Sequence, residues 1–288
     1  MKNKLIHIGY RKAASTFLRD WFFFHPSLHL QPYSQEPDLA EVQSNDYLVF
    51  SEAFLLFRGN DRPRTIENLQ QFQREKCREL KAKFPTAKIL LIARSPEKSI
   101  VSEYSEYIKN GGIQTFDSMK NDPLHQAYFL GHYNYNFVIE LYTNAFGKES
   151  VLVLPMELLQ DRPTQFIKEL ETFLDVPHVE FAHHKRNSSR TPNQLWAFRM
   201  ISLFVWRMTA VFGKKRKGIY YVYMRYLEKE SYTNKKLAIP IKLLLLFKWK
   251  KEPVFEVPRA LLIELKNQAQ CLQTFPYFDS YSNEYFNT

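Results

Sequence analysis

The 288-residue sequence contains little of what builds a cross-linked, metal-bound or membrane-spanning protein. Its two cysteines, Cys77 and Cys271, exclude a disulfide framework and favour a reducing compartment. No cluster of His, Cys or paired carboxylates has the spacing of metal ligands, so we expect no metal cofactor. No uninterrupted apolar run approaches the ~18 residues of a spanning helix, and no leader fits ahead of the first strand pattern. We therefore expect a cytoplasmic protein.

Acidic residues are scarce in one long segment, residues 198–251. It holds 14 lysines and arginines against two glutamates, a local net charge of +12, so the rest of the chain carries −2. The basic residues alternate with tryptophan, phenylalanine and leucine, which suits an interfacial helix on anionic lipid. The same composition fits a groove for an acidic glycan, a stacking surface for single-stranded nucleic acid, or a helical subdomain with a solvated basic face. The first interpretation predicts a peripheral protein at the inner membrane surface.

What the sequence does contain is a pair of similar segments about eighty residues apart. The first, residues 4–18, is an apolar run followed by Lys12, small residues and two hydroxyls where a helix pattern starts. Backbone N–H groups, a helix dipole and a cation would there meet one anion. The second, residues 88–104, is an apolar run followed by Arg94 and, eight residues later, Ser102. Two anion sites on one parallel sheet suit a ligand with two separated phosphates.

Strand and helix patterns alternate as far as Pro177. Strand patterns occur at residues 4–9, 47–51, 88–93 and 151–154, and helix patterns at 15–24, 65–83, 96–109, 124–146 and 163–174. This alternation predicts an α/β fold in three layers, with a central, mostly parallel sheet between helices. Helical patterns then continue at 193–230, 240–250 and 258–272. We predict a core of residues 1–190 and a basic, aromatic-rich helical extension, residues 191–288, packed on the same domain.

Three segments resemble, in the same order, the sulfotransferases that use 3′-phosphoadenosine 5′-phosphosulfate (PAPS). Residues 10–18 are similar to the P-loop-like 5′-phosphosulfate loop of that family, with Ala14 where the family usually has glycine. Arg94 and Ser102 resemble its 3′-phosphate site. Residues 151–177 resemble its later strand and the "E-D-L", "D-P" and "F-L-G-hydrophobic-P" sequence that follows. The resemblance is nearest to bacterial and glycan sulfotransferases, and it implies that residues 1–190 are a PAPS-binding sulfotransferase core.

The resemblance also implies a role for residues of both segments. Lys12 would neutralise the leaving phosphate, which makes it a catalytic candidate as well as a ligand of PAPS. Loop amides would hold the 5′-phosphate, and Arg94 would form a bidentate contact with the 3′-phosphate. A later basic loop resembles the segment that closes over the cofactor in bacterial sulfotransferases. The predicted cofactor-binding residues are Arg11, Lys12, Ala13, Ala14, Ser15, Thr16, Phe17, Arg94, Ser102, Lys185, Arg186, Asn187 and Ser188.

The general base has three candidates. Residues 31–38 resemble the "K-E-x-x-F-F" segment of glycan sulfotransferases, whose glutamate is the base, so Glu36 is the first choice. Glu52 directly follows a strand pattern and would face the same edge of the sheet as the phosphate loops. His7 is the third candidate, although a lone histidine within a strand is more often a core residue.

Together these residues predict an enzyme that transfers a sulfuryl group from PAPS to a hydroxyl or amine of a glycan or glycolipid. Adenosine 3′,5′-bisphosphate (PAP) would be the product. A P-loop kinase or other NTPase is excluded because Gly-x-x-x-x-Gly-Lys-[Ser/Thr] places its lysine after the glycines, whereas Lys12 precedes the small residues. The open alternative is a non-catalytic or nucleotide-binding P-loop-like protein that docks on an anionic membrane or polyanion through its basic segment. Nucleic acid is not an expected partner.

Overall fold

The computed structural model of the chain describes residues 3–10, 12–31, 46–52, 65–181, 190–233 and 255–287. Its centre is a five-stranded sheet with the order β2-β3-β1-β4-β5. The strands are β1 Asn3–Ile8, β2 Leu28–Gln31, β3 Tyr47–Glu52, β4 Lys88–Ala93 and β5 Val151–Pro155. Every neighbouring pair is parallel, which confirms the predicted α/β class with a parallel central sheet.

The central strands form where the sequence supplies short apolar runs that can be buried on both faces. In β4, every residue from Ile89 to Ala93 is fully buried. In β1, Leu5, Ile6 and Ile8 are at most 1% exposed. Strands with two covered faces require helices on both sides, since a parallel sheet in a soluble domain does not leave a face to water.

Helices connect and cover the strands. They are α1 Ser15–Phe24, α2 Ile66–Lys83, α3 Pro96–Lys109, α4 Phe116–Lys120, α5 Pro123–His132, α6 Tyr135–Phe146, α7 Met156–Asp161, α8 Pro163–Leu174, α9 Pro192–Met208, α10 Arg216–Thr233, α11 Arg259–Asn267 and α12 Ser282–Tyr285. Helix α1 packs on β2 and β3, and α6 packs on β4 and β5. Short 3-10 segments follow α6, α9 and α11.

The chain divides into two compact units. The first comprises Met1–Ser99, Pro123–His184 and Pro258–Thr288, and it contains the whole described sheet. The second comprises Ile100–Asp122 and Lys185–Val257, and its described elements are helical. Helix α11 packs on α5 and so belongs to the first unit. The predicted boundary between residues 190 and 191 remains a prediction.

Two local features differ from the expectation drawn from sequence patterns. The single helix predicted over residues 124–146 is the pair α5 and α6, because the side chain of Asn134 accepts a hydrogen bond from the Phe137 amide at 3.0 Å and starts a new helix. Strand β2 was not predicted. Its four residues form an edge strand in which only Leu28 is buried, so it carries no readable apolar periodicity.

One described helical segment, Pro192–Gly213, is long and apolar enough to cross a membrane by length and composition alone. It was not anticipated because Arg199 and Arg207 interrupt its apolar run. The core helix of a soluble protein passes the same test, but only 28% of this segment's most apolar window is buried. The buried residues of α9 are Leu195, Ala197, Phe198 and Ser202, all in its first two thirds, and Thr209 is buried just after the helix.

Candidate functional site

The strand order places two loops beside each other at the carboxyl edge of the sheet. Strand β1 is central, and the chain leaves it towards β2 and β3, whereas β4 continues to β5 on the other side. The loops that follow β1 and β4 therefore diverge from adjacent strands, which is where ligands bind in open α/β sheets. These are the two loops in which the sequence predicted anion sites.

The loop after β1 has a backbone that is unusual for residues other than glycine. Lys12 has φ 63° and Ala14 has φ 57°, both in the left-handed region. The turn is closed by the hydroxyl of Ser15, which donates to the Tyr10 carbonyl at 3.4 Å. No side chain caps the N-terminus of α1, and its first turn has no acidic residue. The amides at the start of α1 can therefore serve an anionic ligand, and Lys12 lies three positions before Ser15, the first residue of that helix.

Aromatic packing supports this loop from beneath. Tyr10 is fully buried, with its ring 5.0 Å from that of Tyr135 and 5.9 Å from that of Tyr133. Phe17 is buried too, and its ring meets those of Phe166 and Phe181. Phe17 can therefore serve an anionic ligand only through its backbone amide, since its side chain belongs to the core.

Arg94, the first residue after β4, connects the two loops. Its Nη1 donates to the carbonyl oxygen of Lys12 at 2.7 Å, across 82 positions of sequence. Its Nε is buried and has no hydrogen-bond partner in the part of the chain that the structure describes. The guanidinium thus holds the strained Lys12 peptide and keeps a further donor for a ligand. This contact brings together the two predicted anion-binding residues.

The backbone of Arg94 is held by a residue that sequence reasoning missed. The Tyr135 hydroxyl accepts from the Arg94 amide at 3.0 Å and donates to the Arg94 carbonyl at 2.8 Å. Tyr135 is fully buried, and burial raises the pKa of its hydroxyl, so it stays protonated and can keep both bonds. No local signal marks this tyrosine, since it begins α6, 41 positions from Arg94.

A second missed support lies under the start of α3. The carboxylate of Glu157 accepts from the Ser95 amide at 3.3 Å and from the Tyr285 hydroxyl at 2.6 Å. Burial raises the pKa of Glu157, and the hydrogen bond from Tyr285 opposes that shift. Lys98 Nζ lies 4.0 Å from the same carboxylate. Glu157 belongs to the segment that resembles the family's "E-D-L", so the motif marked the residue but not this role.

The remaining predicted cofactor ligands differ in exposure, and the structure describes only some of them. Ala13 is fully buried, Thr16 is exposed at the start of α1, and Ser102 is half-buried in the second turn of α3. Ser102 belongs to the second compact unit, and its pairing with Arg94 on one phosphate stays a prediction. Five predicted ligands lie outside the described residues: Arg11, Lys185, Arg186, Asn187 and Ser188.

The three candidates for the general base differ in their positions. Glu52 is the last residue of β3 and pairs in register with Ile8, the last residue of β1, so its backbone lies at the edge that carries the phosphate loop. Glu36 lies outside the described residues. His7 is fully buried, with Nδ1 2.8 Å from the Ser51 hydroxyl and its ring against Phe22. This position gives His7 no access to an acceptor and makes it a core residue.

The burial of His7 should make folding sensitive to acid. Burial lowers the pKa of His7 from 6.5 to about 3, so the unfolded chain binds a proton between these values that the folded chain does not. Its contribution to stability is present above pH 6.5 and is lost as the pH falls towards 3, at about 1.4 kcal/mol per pH unit. We expect His7→Asn to flatten this slope between pH 6 and 4.5, measured by urea unfolding. An unchanged slope would contradict the assignment.

The left-handed Ala14 should be a site of stored strain. A side chain with a Cβ at such a φ costs about 1–2 kcal/mol, and glycine avoids that cost. We expect Ala14→Gly to raise the free energy of unfolding by about 0.5–1 kcal/mol, net of the extra freedom of the unfolded chain. Ala82→Gly, on the exposed face of α2, is the control and should destabilise by a similar amount. Equal destabilisation by both changes would show that Ala14 is not strained.

Among the described residues, no group of three or more His, Cys, Asp or Glu side chains could hold a metal ion. The positive charge at the site comes instead from Lys12, Arg94 and the amides of α1. This arrangement can bind a ligand with two anionic groups and can stabilise negative charge that develops between Lys12 and the α1 terminus.

Known proteins are similar to this chain in structure and in sequence family. The structure is similar to a sulfotransferase from Alicyclobacillus acidocaldarius, with 16% identity, a TM-score of 0.48, and coverage of 73% of this chain and 96% of that one. It is also similar to the mouse sulfotransferase SULT7A1 complexed with PAP, with 14% identity, a TM-score of 0.38, and coverage of 62% and 61%. No curated protein matches the sequence significantly. Residues 2–226 match the family described as "Sulfotransferase domain". Because that match spans more than half of the chain, the chain belongs to the sulfotransferase family of enzymes.

Proposed function

We propose that this sulfotransferase uses PAPS as its donor and a hydroxyl or amine of a glycan or glycolipid as its acceptor. The observation that carries the donor assignment is the 2.7 Å contact between Arg94 Nη1 and the Lys12 carbonyl. It supports a single ligand that meets Lys12 and the α1 amides with one phosphate and Arg94 with another. Sulfotransferases of this family use PAPS, which has phosphates at the 5′ and 3′ positions.

PAPS supplies the sulfuryl group: the acceptor oxygen or nitrogen bonds to sulfur while the bond from sulfur to the 5′-phosphate oxygen breaks, leaving PAP. Lys12 and the α1 amides stabilise the charge that builds on that leaving oxygen. The unoccupied hydrogen-bonding capacity of the Arg94 guanidinium suits the 3′-phosphate, because its planar donors match phosphate geometry. Tyr135 and Glu157 hold Arg94 and Ser95 in place, which limits the cost of organising the site.

The acceptor proton must pass to a base. Two carboxylates, Glu52 and Glu36, are the candidates for this role. Glu52 is favoured by its place at the end of β3, beside the end of β1. Glu36 is favoured by the resemblance to the glutamate of glycan sulfotransferases. Glu52→Gln and Glu36→Gln should therefore be compared for loss of kcat with an unchanged Kd for PAP, and the residue that gives this pattern is the base.

The acceptor class rests on the resemblance to bacterial and glycan sulfotransferases. We place the reaction in the cytoplasm, where the free thiols Cys77 and Cys271 stay reduced. A screen of lipid and glycan extracts with a radiolabelled sulfate donor tests the class directly. Labelling of a carbohydrate-bearing product supports it, and labelling confined to small phenols or protein tyrosines contradicts it.

The donor is tested first, by thermal stabilisation. We expect PAP to raise the melting temperature strongly, AMP to raise it less, and ATP with Mg2+ to have little effect, because only PAP fills both anion sites. Stabilisation by ATP with Mg2+ that exceeds stabilisation by PAP would overturn the donor assignment. The addition of EDTA should leave the effect of PAP unchanged, since the proposed contacts are made by Lys12, Arg94 and amides.

A further inference from the structure

Exposed apolar side chains are concentrated in one helical hairpin, residues 204–226, made by the end of α9, a 3-10 turn and the start of α10. Among the described residues, 12 large apolar side chains are exposed, and eight of them lie in this hairpin. They are Phe204, Met208, Val211, Phe212, Ile219, Tyr221, Val222 and Tyr226. We call these eight residues the apolar face. A cluster of this kind on a soluble unit marks an interaction surface.

The opposite side of the hairpin is occupied within its own unit. The ring of Trp206 packs edge-on against Tyr220 at 5.0 Å, and the Ser202 and Tyr223 hydroxyls are 3.3 Å apart. The Tyr220 hydroxyl donates to the Gly111 carbonyl. These contacts fix which side of each helix faces inward. Trp206, one of the tryptophans that alternate with basic residues in the segment 198–251, therefore faces inward, whereas Phe212 is 54% exposed.

The charged residues of the hairpin sequence, residues 204–226, are all basic. The sequence contains no aspartate or glutamate between Glu180 and Glu228. Among the hairpin side chains that the structure describes, the exposed basic ones are Arg207, Lys215, Lys217 and Arg225. An apolar face bordered by cations, in a hairpin whose own sequence has no acid, is complementary to a surface that is apolar inside and anionic at its boundary. A protein partner would more often supply paired charges of both signs.

We propose that the 204–226 hairpin docks this enzyme on the surface of an anionic phospholipid bilayer. The apolar face enters the boundary between headgroups and acyl chains, and the four basic side chains contact lipid phosphates. This proposal concerns location and does not depend on the identity of the acceptor. It uses only residues of the second compact unit, none of which belongs to the phosphate site.

The hairpin is suited to lie in the interface rather than to span the bilayer. In the apolar segment Pro192–Gly213, the first half is used for packing: Leu195 and Phe198 are buried, and Arg199 donates to the Ile113 carbonyl at 3.5 Å. The exposed apolar part runs from Phe204 to Phe212, nine residues. A helix of that length reaches about 13 Å, less than half of the ~30 Å hydrocarbon core.

The apolar contribution is tested with Phe204→Ser combined with Phe212→Ser. The wild-type chain should co-sediment with vesicles of phosphatidylglycerol and phosphatidylcholine at low salt, and the double variant should bind about 100-fold more weakly. Phe23→Ser is the matched control, because Phe23 is 73% exposed but lies on α1 in the first unit. It should bind like the wild type. All variants should keep the same melting temperature and the same response to PAP.

The electrostatic contribution is tested with Lys215→Gln combined with Lys217→Gln, against Lys168→Gln on α8 as the control. Each basic residue at an anionic surface contributes roughly a fivefold change in partitioning, so the double variant should bind about 25-fold more weakly. High salt should have a similar effect on the wild type, since it screens exposed charges.

Four outcomes would overturn the proposal. They are absence of binding to anionic vesicles at low salt, equal binding to pure phosphatidylcholine, retention of binding by the Phe204 and Phe212 double variant, and resistance of bound protein to extraction by high salt and alkaline carbonate. The last outcome would indicate a spanning helix instead. Concentration-dependent dimerisation that the same double variant abolishes, without vesicle binding, would assign the apolar face to a second copy of the chain.

Discussion

Lys12→Ala is expected to lower kcat by about 100- to 1000-fold while raising the Kd of PAP by less than about fivefold. The lysine charge matters most when the oxygen that links sulfur to the 5′-phosphate becomes negative in the transition state. Ground-state binding depends less on Lys12, because the α1 amides and Arg94 also hold the ligand. The measurement pairs initial rates with the acceptor found by the screen and calorimetry with PAP.

The Lys12→Ala substitution removes the side-chain charge and keeps the backbone contacts of position 12. Alanine, like lysine, has a Cβ, so the left-handed backbone at position 12 (φ 63°) stays equally strained. The contact from Arg94 goes to the Lys12 backbone carbonyl, which the variant keeps. Lys168→Ala on α8 serves as the control, because Lys168 is exposed and lies outside both phosphate loops. Parallel changes in kcat and Kd, or an unchanged kcat, would contradict the role given to Lys12.

The parts of the fold that could be predicted are those encoded locally. The buried strands β1 and β4 appear as uninterrupted apolar runs, and each is followed by the small and basic residues that form an anion loop. The position of both loops at one edge of the sheet also follows from the sequence. Alternating strands and helices imply a parallel sheet, and the loops after its strands lie together at its carboxyl edge. The same local pattern carries the resemblance to the sulfotransferase family, since it needs no tertiary contact to be recognised.

The supports of the site could not be predicted because they are long-range and chemically ordinary. Tyr135 is one of 17 tyrosines, and only the packing of α6 on β4 brings its hydroxyl to Arg94. Tyr285 reaches Glu157 across 128 positions of sequence. The direction in which Trp206 points was equally inaccessible, since an irregularly amphipathic helix gains its inner face only when Tyr220 packs against it. Tertiary context, not propensity, decided each of these.

Arg94→Ala is expected to weaken PAP binding by about 10- to 100-fold, the loss of charge-assisted hydrogen bonds to one phosphate. The structure adds a second consequence. Because Arg94 also donates to the Lys12 carbonyl, its removal releases the strained 5′-phosphate loop. AMP, which has no 3′-phosphate, should therefore bind about threefold more weakly to the variant, a smaller loss than that of PAP.

The ratio of these two losses separates the roles of Arg94. A larger loss for PAP than for AMP, measured by calorimetry, assigns the guanidinium to the 3′-phosphate. Equal losses would reduce Arg94 to a support of the Lys12 loop, and no loss of PAP affinity would remove it from the site altogether. Arg78→Ala on the exposed face of α2 controls for the change in net charge and should leave both affinities unchanged. Because Tyr135 holds only the Arg94 backbone, Tyr135→Phe should shift the PAP affinity in the same direction by a smaller factor.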